Sequence, residues 1–164
     1  MFLQFNSRSS LQLIEFRDHF IFGLTLQEHP LKKSLDTFEH NLKIVLPQVH
    51  EKLDDLSIKP EFYAYRWFLL FYTQEYDIMQ VMRLWDSLLC FFVSDNRGTM
   101  INFMYYFALA ILYLNRVELL KSDLNGCMQL LQKHKTDINA VIKESERIFS
   151  IINKGKTILQ MVKN

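Results

Sequence analysis

Glycine and proline are scarce throughout this chain, with four Gly and three Pro among 164 residues. Average proteins contain about 7% Gly and about 5% Pro, which is more than double these numbers. β-Sandwiches and barrels need many turns rich in both residue types. No segment alternates apolar and polar residues over a strand's length. We therefore predict an all-α fold of about seven helices.

The composition supports a single compact domain with a substantial core. Hydrophobic residues make up 49% of the chain and aromatic residues 14%. A globular chain of this length buries roughly 70% of the surface that its unfolded form exposes. Global disorder is therefore excluded as an interpretation of this sequence.

The charges are balanced, because 19 Lys and Arg face 18 Asp and Glu. No basic patch stands out, so nucleic acid is not an expected partner. We interpret Lys154, Lys156 and Lys163 as a solvated helix end and not as a lipid-binding cluster.

The residue types that hold metals are dispersed. The two cysteines, Cys90 and Cys127, lack CxxC spacing, and we expect both to behave as small buried hydrophobes in a reducing compartment. The histidines lie on different segments without zinc-ligand spacing, which predicts surface or helix-end positions and no metal or cofactor. These histidines are His19, His29, His40, His50 and His134.

One apolar stretch raises the question of a membrane span. Residues 100–114 carry no charge, but a helix of that length spans about 22 Å, whereas a bilayer core is about 30 Å thick. We therefore predict a central buried helix, with a small membrane protein as the weaker alternative. The first residues lack the basic and long apolar regions of a signal peptide.

Apolar residues recur at helical spacing along the whole chain. Pro30 is expected to end the first helix, and Pro47 should kink or split the second. Pro60 suits the first position of the third. The predicted helices cover residues 10–26, 34–56, 62–74, 78–92, 99–120 and 122–134, with a seventh after Thr136 or Asp137.

The helix from residue 78 has the strongest amphipathic pattern. Asp77 and Gln80 form a predicted capping box at its start. We expect its apolar series to form one inner face. The series comprises Ile78, Val81, Met82, Trp85, Leu88, Leu89 and Phe92.

Residues 60–92, PEFYAYRWFLLFYTQEYDIMQVMRLWDSLLCFF, contain the most specific motif of the sequence. Trp67 and Trp85 are predicted to anchor two successive helices against each other. Arg66 could reach Glu75 at the turn between them. Arg83 and Asp86, three residues apart, can pair across the surface of their helix.

This block resembles the last signature block of TBC domains, the Rab GTPase-activating family, in order and spacing. Its elements are Tyr65-Arg66-Trp67, Gln74-Glu75-Tyr76 and the run from Arg83 to Leu89. Residues 15–20 also resemble the preceding segment in the branch typified by TBC1 domain family member 13. The resemblance implies that residues 1–154 form the C-terminal lobe of a TBC helical fold, followed by a tail at 155–164.

The resemblance also implies a function and a partner. The chain would be part of a GTPase-activating protein for Rab-type small GTPases in vesicle transport, without a small-molecule substrate of its own. It would be cytoplasmic and would reach endomembranes peripherally, through its partner.

The catalytic motifs of the family are not found. TBC domains insert an arginine from IxxDxxR and a glutamine from YxQ, usually followed by Gly, into the GTPase site. No Ile here has Asp at +3 and Arg at +6, and the only YxQ, Tyr72-Thr73-Gln74, precedes Glu75 and lies inside the last block. We therefore expect no catalytic residue and no stimulation by this chain alone.

The signature residues are interpreted mainly as scaffold, with direct contact to the GTPase as the alternative. They are Arg66, Trp67, Gln74, Glu75, Arg83, Trp85 and Asp86. Two hypotheses follow: a fragment of a Rab GTPase-activating protein, or a non-catalytic helical module that binds a GTPase or an adaptor. In the first case the chain should expose an apolar surface at its start, formed by Phe2, Leu3, Phe5 and Phe16.

Overall fold

The computed structural model describes residues 30–94, 100–134 and 136–162. Within these ranges the chain is helical and contains no β-strand, which confirms the predicted all-α fold. The predicted first helix at 10–26 and the apolar surface of Phe2, Leu3, Phe5 and Phe16 lie outside the described residues. The helices are α1 (Pro30–Val45), α2 (Pro47–Asp55), α3 (Ala64–Leu69), α4 (Ile78–Ser94), α5 (Met100–Leu114), α6 (Arg116–Lys121), α7 (Leu124–Gln132) and α8 (Ile138–Val162).

The helix α5 lies at the centre of the fold, as predicted. Every residue from Phe103 to Leu112 is buried. Its main neighbour is α8, against which Tyr106 packs edge to face with Phe149 at a ring-centroid distance of 5.3 Å. Among the described residues, no helix combines the length and the apolarity needed to cross a membrane.

Two prolines define where α1 and α2 begin. Pro47 splits the predicted second helix, because a proline nitrogen has no proton for the bond that would continue α1. The described part of α1 begins at Pro30, so the predicted start near Ser34 was wrong, while the predicted helix before Pro30 lies outside the described residues. Proline fits the first helical position, where the missing N–H costs no hydrogen bond.

The predicted helix over residues 62–74 is much shorter in the structure. A single 3-10 turn covers Pro60–Phe62, and α3 ends at Leu69. Phe71 and Tyr72 then adopt left-handed backbone conformations with φ of 51° and 61°. Since a right-handed helix cannot continue through such residues, a turn leads to α4.

Polar side chains set the other helix ends. The Gln80 amide donates to Asp77 Oδ1 at 3.0 Å and the Asp77 amide to Gln80 Oε1 at 3.2 Å, which confirms the capping box. Asp137 caps α8 as predicted. Asp123, not Ser122, caps α7. The predicted helix over 99–120 is interrupted at Asn115, whose side chain donates to the Ile111 carbonyl at 2.8 Å.

Candidate functional site

Trp67 holds the signature block in the core. Its side chain is buried, and its ring lies 5.3 Å from the ring of Tyr63 and 6.2 Å from that of Tyr72. It also meets the ring of His134 edge to face at 5.7 Å. Trp67 is therefore a core residue, while its predicted role in packing α3 against α4 stays a prediction.

Residues 70–77, here called the signature turn, connect α3 to α4. Two bonds hold its left-handed residues: the Tyr72 hydroxyl donates to the Met104 carbonyl at 2.8 Å, and Trp85 Nε1 donates to the Phe71 carbonyl at 3.2 Å. Burial raises the pKa of Tyr72 well above its usual value, which keeps the phenol protonated. Non-glycine residues with positive φ store strain, and these contacts help to stabilise the turn against it.

Glu75 carries a buried charge at the end of this turn. Its side chain is 3% exposed, and Oε1 accepts from Arg66 Nε at 2.7 Å. The predicted reach of Arg66 to Glu75 is thus confirmed. Arg66 Nη2 also donates to the Gln132 carbonyl at 3.1 Å, which connects α3 to the end of α7.

The histidine His134 lies beside this ion pair. Its side chain is fully buried just beyond the end of α7, so of the two predicted positions, surface or helix end, the surface position was wrong. Nε2 lies 3.7 Å from Glu75 Oε2, and Nδ1 lies 2.8 Å from Thr136 Oγ1. Burial, together with the positive charge of Arg66, lowers the pKa of His134 to about 4, so the ring is neutral near pH 7.

The Thr136 hydroxyl connects His134 to the signature turn. Thr136 Oγ1 lies 3.1 Å from the Tyr76 hydroxyl, and burial raises the pKa of Tyr76 to about 12. Tyr76 also packs its ring 5.4 Å from that of His134. One polar network therefore contains residues of α3, of the signature turn and of the connection between α7 and α8. Its members are Arg66, Glu75, Tyr76, His134 and Thr136.

Helix α4 has two apolar faces instead of the single inner face that was predicted. Val81, Leu84 and Leu88 are buried. A second stripe at i, i+4, i+7 and i+11 lies roughly 100° around the helix axis from them, because successive residues turn by about 100°. This apolar strip consists of Ile78, Met82, Trp85 and Leu89, which are 71%, 54%, 43% and 42% exposed.

Comparison with known proteins assigns the family. The family model of the Rab-GTPase-TBC domain matches residues 10–120. The chain belongs to the TBC family. Human TBC1 domain family member 13 is 32% identical over 137 residues, which cover 83% of this chain and 33% of that protein. The mouse TBC domain-containing protein kinase-like protein is 25% identical over 165 residues, covering 98% and 18%, and the Dictyostelium discoideum TBC1 domain family member 5 homolog B is 28% identical, covering 62% and 10%. The chain thus spans about a third or less of these relatives.

The TBC signature residues divide into two groups. Trp67 and Glu75 are buried and Arg66 is partly buried, in the polar network and the core. Trp85, at 43% exposed, is not the core anchor that was expected, although its indole N–H fixes the turn. The remaining members, Gln74, Arg83 and Asp86, are exposed.

Other sequence expectations fared differently. In the described part of the chain, neither Arg83 nor Asp86 takes part in an ion pair, so their predicted pairing does not occur. Cys127 is buried as expected, but Cys90 is exposed on α4. The described residues include no cluster of three or more His, Cys, Asp or Glu that could hold a metal ion.

Sequence reasoning missed the partners of the TBC signature turn. Tyr76, His134 and Thr136 meet only in the folded chain, because about sixty residues separate the first from the others. Thr136 had a local role as a candidate helix cap, which concealed its tertiary one. The second stripe of α4 was visible in the sequence but was merged with the buried face.

Proposed function

We propose that this chain is the GTPase-docking part of a Rab GTPase-activating protein and that it binds a Rab-type small GTPase through the apolar strip of α4 and the adjoining signature turn. Membership of the TBC family supports the class of partner. The single observation that carries the docking surface is the exposure of four large apolar side chains in one stripe of α4.

The chemistry of the strip suits a protein partner. Aromatic residues and Met are enriched at the centres of protein interfaces, and large exposed apolar patches are uncommon on monomeric proteins. Arg83 and Asp86 lie exposed on the same helix and could supply a polar rim. The bond from Trp85 to the Phe71 carbonyl makes the strip continuous with the turn that presents Gln74.

The catalytic contribution belongs to other residues in this proposal. The YxQ of this chain has its Tyr72 hydroxyl committed to the Met104 carbonyl, and Glu75 follows Gln74 in place of Gly. An arginine supplied to a GTPase site accelerates hydrolysis by roughly 10³ to 10⁵, and no IxxDxxR motif is present to supply it. We therefore expect binding without stimulation of hydrolysis by this chain alone.

Binding can be tested with a panel of Rab proteins loaded with a non-hydrolysable GTP analogue. We expect Met82→Ser and Trp85→Ala to weaken binding by about 30-fold, as central interface residues do. Ile44→Ser is the matched control, because Ile44 is 63% exposed on α1. Equal affinities for all three variants would contradict the assignment of the strip as the docking surface. If no Rab protein of the panel bound the wild type, the proposed GTPase partner would be wrong.

Hydrolysis assays address the second part of the proposal. The wild-type chain and the Gln74→Ala variant should both leave the GTP hydrolysis rate of the bound Rab protein unchanged. Stimulation that disappears in Gln74→Ala would show that the YxQ of this chain is catalytic.

The second candidate function is a non-catalytic module that binds a GTPase or an adaptor protein. The apolar strip is equally compatible with an adaptor, because it carries no feature specific to a nucleotide-binding partner. Binding of an adaptor to wild type, its loss in Met82→Ser and the absence of any Rab binder would favour this candidate. In either case we propose peripheral recruitment to endomembranes through the bound partner.

A further inference from the structure

Three residues near the start of the α7–α8 connection contact the signature turn or the helix before it. The Gln132 carbonyl accepts from Arg66, His134 lies against Glu75, and Thr136 bonds to Tyr76. All three lie beyond residue 120, where the match to the family model ends. Residues outside the range that the family model matches thus contact the signature turn and Arg66, which belong to the most specific motif of the sequence.

The hydrogen bonds of this network have a definite direction. The Thr136 hydroxyl has one proton, so it can donate to only one of its neighbours, Tyr76 or His134. If it donated to Tyr76, the neutral ring of His134 would carry its proton on Nδ1, and the lone pair of Nε2 would face the carboxylate of Glu75. That arrangement is repulsive in a buried site, where electrostatic interactions are strong.

The reverse direction removes this repulsion, although Nε2 lies too far from Glu75 for a hydrogen bond. The Tyr76 hydroxyl donates to Thr136, Thr136 donates to His134 Nδ1, and the proton on Nε2 points toward Glu75 Oε2 at 3.7 Å. The other oxygen of Glu75 accepts from Arg66 at 2.7 Å. The hydrogen bonds therefore run one way, from Tyr76 through Thr136 to His134, and the N–H of the ring faces the buried carboxylate electrostatically.

We propose that Gln132, His134 and Thr136 form a clamp that positions the signature turn, with His134 held as the Nε2–H tautomer. The clamp contacts the adjacent residues Glu75 and Tyr76, near the C-terminal end of the turn. It acts on partner binding indirectly, through the turn that presents Gln74. These positioning residues lie outside residues 10–120, which the family model matches.

The tautomer of His134 is the first test, read from the nitrogen chemical shifts of the ring in the full chain. We expect the proton on Nε2 in the wild type. Thr136→Val removes the donor to Nδ1 and should raise the population of the Nδ1–H form. A wild-type ring protonated on Nδ1 would overturn the proposal.

Amide hydrogen exchange is the second test. The amides of Thr73 and Glu75 donate within the turn, to the carbonyls of Leu70 and Tyr72. In Thr136→Val we expect both amides to exchange about five- to tenfold faster, which is the worth of one net hydrogen bond. Thr37→Val is the matched control, because Thr37 is exposed on α1 and bonds only to the Lys33 carbonyl.

Tyr76→Phe provides the comparison if Thr136→Val does not fold. It removes only the first donor, so exchange at Glu75 should accelerate while His134 keeps its Nε2–H form. Exchange in the turn that is unchanged in the folded variant would show that the turn holds itself and would overturn the clamp.

The effect on partner binding rests on the proposed function. We expect the variant that loosens the turn to weaken Rab binding by several-fold, whereas Thr37→Val leaves it unchanged. If the wild type binds no Rab protein, the proposed function fails, while the tautomer and exchange results still decide the clamp.

Discussion

Arg66 Nε lies 2.7 Å from Glu75 Oε1, and this bond joins the side chain of a short helix to a carboxylate that is almost completely enclosed. A buried carboxylate without a partner is strongly destabilising. The pair therefore determines whether the signature turn can pack against the core.

Removal of the Arg66 cation from this pair should strongly destabilise the folded chain. Arg66→Met should lower the free energy of unfolding by about 3 kcal/mol, because Glu75 would remain charged and buried without its donor. The measurement is urea denaturation at pH 7. Arg147→Met, which breaks a pair with Glu144 in which the Arg147 side chain is 49% exposed, should cost less than about 1 kcal/mol. Similar losses in the two variants would contradict the assigned burial of Glu75.

The two tryptophans should behave differently. Trp67→Ala should destabilise the chain by about 4 kcal/mol, as expected for a fully buried aromatic residue. Trp85→Ala should cost about half as much, because its ring is 43% exposed. In the wild type, iodide should quench fluorescence from Trp85 and not from Trp67. Quenching that survives in Trp85→Phe would contradict this assignment.

Because of His134, the free energy of unfolding should decrease as the pH is lowered. Its pKa is about 4 in the folded chain and about 6.5 in the unfolded chain, so between these values the unfolded state binds the additional proton. The contribution of neutral His134 to the free energy of unfolding is fully present above about pH 6.5. It decreases as the pH falls, by on the order of 3 kcal/mol near pH 4. Urea denaturation from pH 7 to pH 4.5 measures this slope.

Two variants isolate the histidine in that experiment. His134→Gln should flatten the slope, because the titrating group is gone. His40→Gln, an exposed position on α1, should leave the slope as it is in wild type. A steep slope that persists in His134→Gln would assign the pH dependence to other groups.

The two thiols should differ in reactivity. Cys90 is exposed on α4 and should react with a disulfide reagent in the native chain. Cys127 is buried, and burial raises the pKa of its thiol, so it should react only after unfolding. One equivalent of fast reaction in the wild type and none in Cys90→Ser is the expected result. Fast modification of Cys127 would contradict the packing of α7.

The helices were predictable wherever one local signal decided the outcome. Three correct predictions each depend on residues that are close in sequence. They are the split at Pro47, the capping box of Asp77 and Gln80, and the central position of α5. The early end of α3 was not predictable, because the left-handed residues Phe71 and Tyr72 are held by contacts to α4 and α5.

The candidate site was only partly predictable for the same reason. The pairing of Arg66 with Glu75 crosses nine positions and could be inferred from the turn between them. The burial of His134 depends on Trp67 and Tyr76, which approach it from far along the chain. Periodicity also does not reveal which of two apolar faces of α4 meets the core, so both were assigned to it.

The two-sided character of α4 has a consequence inside a cell. In the proposed docking the apolar strip of α4 stays uncovered until a partner binds, so an unbound copy presents the kind of surface that chaperones and proteases act upon. Copies made in excess of the partner would be removed first. The steady-state amount of this protein should therefore follow the supply of whatever molecule covers that side.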